Sequence, residues 1–80
     1  MRRNDGATTK IQRHKEIAKL VHGLIHNSED DHTPLQRTIS LIEVEVGLSR
    51  SKAESYLKTL ESLGHFELDF EDDKIRKKLV

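Results

Sequence analysis

GLSRSKAESYLKTLESLG, residues 47–64, is the stretch on which the fold of this chain turns. A glycine opens it, a glycine closes it, and between them lies one helix with two unlike faces. Ala53, Leu57, Leu60 and Leu63 recur at helical spacing and make an apolar stripe, with Tyr56 on its edge. Ser49 or Ser51 can cap the start, and Ser51 with Glu54 three residues on fits a capping box. Gly64 suits a left-handed stop at the other end. Opposite the stripe stand Ser51, Ser55, Lys58, Thr59 and Ser62, with Lys52 beside them, while Glu54 and Glu61 share a flank. A merely solvated helix face usually mixes both signs of charge. This one is basic and rich in hydroxyls, the chemistry that phosphates and base edges accept.

Outward from that helix, the composition sets limits. Eighty residues suffice for one domain with one modest core. Charged residues make up 35% and hydrophobic ones 34%, which places the chain at the polar end of globular sequences. With no cysteine there is no disulfide framework and no thiolate zinc site. No apolar run approaches the roughly 20 residues of a membrane span, and no signal-peptide pattern opens the sequence, so a cytoplasmic protein is expected. The formal net charge is zero, so any nucleic-acid binding has to come from local segregation of charge.

Residues 1–7, MRRNDGA, lack periodicity and read as a flexible arm, leaving residues 8–80 as the domain. Thr8 or Thr9 then caps a first helix that runs to about His26. Ile11, Ile17, Ala18, Leu20, Val21, Leu24 and Ile25 give it an apolar arc close to half its circumference. That is wider than one packing partner demands, so the helix is either central to the core or partly shared with a second copy of the chain. His14 falls inside the arc, where a buried, hydrogen-bonded role is expected. His22 and His26, four apart on the polar side, have the one metal-like spacing, but Lys15 and Lys19 beside them disfavour a cation, and no metal or cofactor is expected.

After an acidic loop, NSEDDH, Thr33-Pro34 offers a threonine cap with proline in the first helical position. Leu35, Ile39, Ile42 and Val46 follow on one stripe, giving a second helix that stops at Gly47. Residues 42–46, IEVEV, also alternate as a strand would; the longer, better-capped helical stripe decides for the helix. Leu41 and Val44 fall off its core stripe and add exposed apolar area. Beyond Gly64 the period changes to two. Phe66, Leu68 and Phe70 face one way and Glu67, Asp69 and Glu71 the other, Asp72-Asp73 turns, and Ile75 and Leu79 resume an apolar face among Lys74, Arg76, Lys77 and Lys78. A terminal β-hairpin is expected, in a fold that is mainly α.

Helix, helix, tight turn, helix, hairpin resembles the winged helix-turn-helix, and residues 33–79 carry the resemblance. IEVEVGLSRSKAESYLKTLESLGHFEL looks like the core of archaeal and bacterial transcription regulators of that family: Val46-Gly47-Leu48-Ser49 occupies the turn, and Leu57, Leu60, Leu63 and Gly64 match the closing pattern. The resemblance implies three helices plus a C-terminal wing, with the third helix in the DNA major groove. It implies contacts from Ser49, Arg50, Ser51, Lys52, Ser55, Tyr56 and Thr59, with Lys58 on phosphate and Lys74 and Arg76 from the wing's basic strand. Two positions depart from the family. Glu43 stands where a small residue usually packs against the third helix, and the wing tip Glu71-Asp72-Asp73 is acidic where arginine or lysine is usual, so either the wing stands off the DNA or its later basic strand makes the contact.

No nucleophile–base pair, glycine-rich phosphate loop or carboxylate dyad is present, so an enzyme is not expected. Two functions remain. One is a homodimeric, sequence-specific regulator on double-stranded DNA. The alternative is a winged-helix adaptor that docks a protein partner through Leu41, Val44 and the broad face of the first helix, without direct DNA binding.

Overall fold

The computed structural model describes residues 6–78. Its elements are α1 (Gly6–His26), β1 (His32–Pro34), α2 (Leu35–Val46), α3 (Arg50–Ser62), β2 (Phe66–Asp69) and β3 (Lys74–Lys77). Three helices and a small antiparallel sheet make a winged-helix-like layout, mainly α, as the sequence led us to expect. Residues 40–46 are helical despite their alternation. Leu35, Ile39 and Ile42 are fully buried on the helical stripe, and Val46 packs on its end. The alternation would have faced Val44 inward with them; it is instead 78% exposed.

Three details differ from expectation. α1 opens at Gly6, ahead of Thr8 and Thr9, so Gly6 and Ala7 belong to the helix rather than to an arm. Residues 1–5, with Arg2 and Arg3, and residues 79–80, with Leu79, lie outside the described residues. The sheet has three strands in the order β1-β3-β2, with His32 opposite Arg76 and Phe66 opposite Lys77 on the two sides of the central strand. β1 is three residues long and ends in proline, which is tolerated at an edge because no ladder donor is required there. Finally, Leu63 is 67% exposed, because the helix ends at Ser62 and the chain has already turned away from the core.

The core is a single cluster. Ile17, Val21 and Ile25 of α1 meet Leu35, Ile39 and Ile42 of α2, Ala53, Leu57 and Leu60 of α3, and Phe66 and Ile75 of the sheet. Each fully buried side chain of this size is worth about 1.5–3 kcal/mol. Two hydroxyls are buried with them, and both are satisfied: Thr38 Oγ1 donates to the Pro34 carbonyl at 2.6 Å and lies 3.5 Å from Thr33 Oγ1. Thr33 is therefore a strand residue bonded to Thr38, not the cap of α2. Pro34 takes the cap position and provides no side-chain bond.

Glycines end α2 and α3 where only a left-handed residue fits. Gly47 has φ 79° and returns its N–H to the Glu43 carbonyl at 3.1 Å. Gly64 has φ 88°, with Gly64 N–H on Glu61 and His65 N–H on Leu60 closing the last turn of α3. Between the two helices Leu48 is buried and Ser49 caps α3, its Oγ accepting the Lys52 N–H at 3.3 Å. The Ser51–Glu54 box does not form, because the helix starts two residues earlier than that box requires. Glu54 instead pairs with Lys58 at 3.4 Å.

Candidate nucleic-acid interface

α3 sorts its residues as its sequence pattern suggests. Ala53, Leu57 and Leu60 are within 1% of complete burial, while Ser51, Lys52, Ser55, Lys58, Thr59 and Ser62 are all exposed. Ser49 and Arg50 begin the same surface, and Tyr56 is half-buried at its edge. Thr59 Oγ1 returns to the Ser55 carbonyl at 3.1 Å. The hydroxyls of Ser51 and Ser55 make no side-chain hydrogen bond among the described residues, which leaves them able to donate and accept.

The cations of this surface differ in what already holds them. Arg50 is bound back to α2: Nη1 donates to Glu43 Oε1 at 3.0 Å and to Ser40 Oγ at 3.2 Å, and Nη2 donates to Gln36 Oε1. Glu43, whose position in the resembled family takes a small residue, thus joins α2 to the start of α3 by an ion pair. Lys58 has Glu54 at 3.4 Å and lies over the Phe70 ring, Nζ 5.4 Å from its centroid. Arg76 on β3 is held by Asp69 at 2.8 Å and Asp72 at 3.5 Å. The Asp72 N–H, 3.0 Å from Asp69 Oδ1, holds the Asp69 carboxyl below its usual range, and the Arg76 charge adds to that effect. Lys74 and Lys52 make no ion pair among the described residues.

The acidic hairpin tip has a structural task. Asp73, at φ 57°, accepts the Gln36 N–H on Oδ1 at 2.8 Å, and its carbonyl accepts the Leu35 N–H at 3.0 Å. Two orphan donors at the start of α2 are satisfied from the turn between β2 and β3.

α1 contributes residues that the sequence pattern left out of the site. Arg13 and His14 line a groove of about 430 Å³ together with Lys52, Ser55, Tyr56 and Thr59 of α3. The His14 and Tyr56 rings meet edge-on, their centroids 4.6 Å apart, and the histidine expected to be buried is half-exposed there. No local spacing signals that Arg13 lies beside α3; its place there comes from how α1 packs against α3.

Two other features lie apart from α3's polar face. His22 faces His65 across the fold, Nε2 to Nδ1 at 3.3 Å, rather than pairing with His26. Burial lowers the His22 pKa from its ordinary value of 6.5, and the charge of His65 lowers it further. Among the described residues no group of three or more potential metal ligands comes together. Between α1 and α2, adjoining apolar grooves of about 350 and 530 Å³ share Leu24 and Leu41, with Leu20 and Val44 beside them. No helix among the described residues is long and apolar enough to cross a membrane. A scan against protein-family models gives no match, and searches of curated proteins and of solved structures give none either.

Proposed function

We propose that this chain is a sequence-specific double-stranded DNA-binding protein of the winged helix-turn-helix type, a cytoplasmic transcriptional regulator with α3 as its recognition helix and no catalytic role. One observation carries the reading: the complete separation, on α3, of a buried aliphatic stripe from an exposed face of serines, threonine and lysines. A helix that only completes a core has no need of an outer face from which carboxylates are kept to one flank. Ser51, Lys52, Ser55 and Thr59 have the reach and chemistry for base edges and phosphates, and the positive end of the helix dipole at Arg50 favours phosphate.

The protein acts as a homodimer in this reading. Leu20, Leu24, Leu41 and Val44 form a continuous apolar surface rimmed by Glu16, Lys19, Arg37 and Glu45. A rim with both signs can complement itself across a two-fold axis, and a dimer then reads two half-sites spaced by about one helical turn.

The same apolar surface supports the alternative, an adaptor whose occupant is a different protein and which binds no DNA. The discriminating experiment is a gel shift with random-sequence duplex at two salt concentrations, followed by selection of the bound sequences. Salt-sensitive retardation and an enriched motif support the regulator. No retardation at low salt, with a stable heteromeric partner, supports the adaptor.

A further inference from the structure

The cations that could meet a phosphate backbone are unevenly available around α3. On the hairpin side Lys74 makes no ion pair among the described residues, but Arg76 is neutralised twice over, and Glu61, Glu67, Asp69 and Glu71 line the surface around it. That surface repels phosphate. On the side towards α1 the situation is reversed. Arg13 and Lys52 line one groove, neither makes an ion pair among the described residues, and no carboxylate shares the lining. Ser55 and Thr59 add hydroxyls, and the His14–Tyr56 ring contact ties the two helices together there.

Resting on the DNA-binding reading above, we infer that a duplex phosphate strand lies along the groove between α1 and α3, gripped by Arg13 and Lys52, and that the hairpin stands off the DNA. Arg13 is half-buried, so its charge is screened less than that of a lysine on an open surface, and its planar fork can hold two phosphate oxygens at once. Lys52 sits in the first turn of α3, where the helix dipole adds to its attraction for an anion. The acidic hairpin is then free for its task at the start of α2, and its departure from a basic wing has a structural cause.

The test is fluorescence anisotropy of a random-sequence duplex with the parent protein and with Arg13→Gln, Lys52→Ala and Lys74→Ala across a salt series. Arg13→Gln keeps most of the aliphatic stem, and thermal melting checks that each variant folds. Arg13→Gln and Lys52→Ala are each expected to weaken binding about fivefold to tenfold and to lower the salt slope by about 0.9. Lys74→Ala is expected to stay within about twofold of the parent. If Lys74→Ala weakens binding and Arg13→Gln does not, the strand runs past the hairpin and the inference is wrong while the DNA-binding reading stands. If the parent binds no duplex, the DNA-binding reading fails and this inference goes with it.

Discussion

Asp73 caps a helix that begins 38 residues before it: its Oδ1 accepts the Gln36 N–H at 2.8 Å, and its carbonyl takes the Leu35 N–H at 3.0 Å. Pro34, in the cap position itself, has no side chain able to do so. The hairpin is therefore fastened to the helix-turn-helix by one side-chain and one backbone acceptor of Asp73. Asp73→Ala loses the cap and places alanine at φ 57°, with an expected cost of about 1–3 kcal/mol. Asp73→Asn keeps an acceptor and tolerates that φ, so urea denaturation is expected to find it within about 0.5 kcal/mol of the parent. Equal stability of the alanine variant and the parent would remove Asp73 from this role.

That contact also marks where the sequence stops being legible. Local signals were enough for α2, α3 and the hairpin: glycines at 47 and 64, the Leu35–Ile39–Ile42 stripe, and the change to period two at Phe66. What escaped was long-range. β1 is three residues ending in proline and has no pattern of its own; it exists because Ile75 lies opposite Thr33. The Thr33-Pro34 cap motif was plausible locally and lost to Asp73 and to the Thr38 hydroxyl. In the site, the exposed face of α3 was legible, but Arg13 beside it and the carboxylates that hold Arg50 and Arg76 depended on tertiary packing.

Arg50 and Glu43 form a partly exposed ion pair, 3.0 Å apart, with 46% and 34% of their side chains accessible. A double-mutant cycle with Arg50→Ala and Glu43→Ala is expected to give a coupling of only about 0.2–1 kcal/mol to stability. The larger effect belongs to binding. Ser40, Glu43 and Gln36 hold the guanidinium in one orientation at the start of α3, so Arg50→Ala is expected to cost about 1–3 kcal/mol of duplex affinity and to relax preference at one base position. Lys58→Ala is expected to weaken binding evenly across sequences. Selected-sequence affinities for the two variants check the contrast.

The His22–His65 contact predicts loss of stability on acidification. The His22 pKa is lowered in the folded protein, so the unfolded chain binds the proton more readily. The contribution is complete above the ordinary value of 6.5 and declines as pH falls below it towards the folded value. Thermal melting from pH 7.5 to 5.5 is expected to show a falling midpoint that His22→Gln flattens; the same pH profile in both proteins would contradict this.

Val44 is 78% exposed, so a charge there leaves the fold intact while disrupting the apolar surface it shares with Leu24 and Leu41. Burial of a few such residues, each worth about 1.5–3 kcal/mol, suffices for micromolar association. Sedimentation equilibrium is expected to find a dimer for the parent and a monomer for Val44→Glu. A parent that stays monomeric at high micromolar concentration would leave this surface to a different protein.

The most direct test of α3 as a DNA reader is the salt dependence of duplex binding by the parent and by a variant carrying Ser55→Ala and Lys58→Ala together. The parent is expected to bind with log affinity falling linearly in log salt, at about 0.9 per phosphate neutralised and with few phosphates per subunit. The double variant is expected to bind more weakly with a shallower slope. Binding by the double variant equal to the parent in affinity and slope, or no binding by the parent even at low salt, would contradict it.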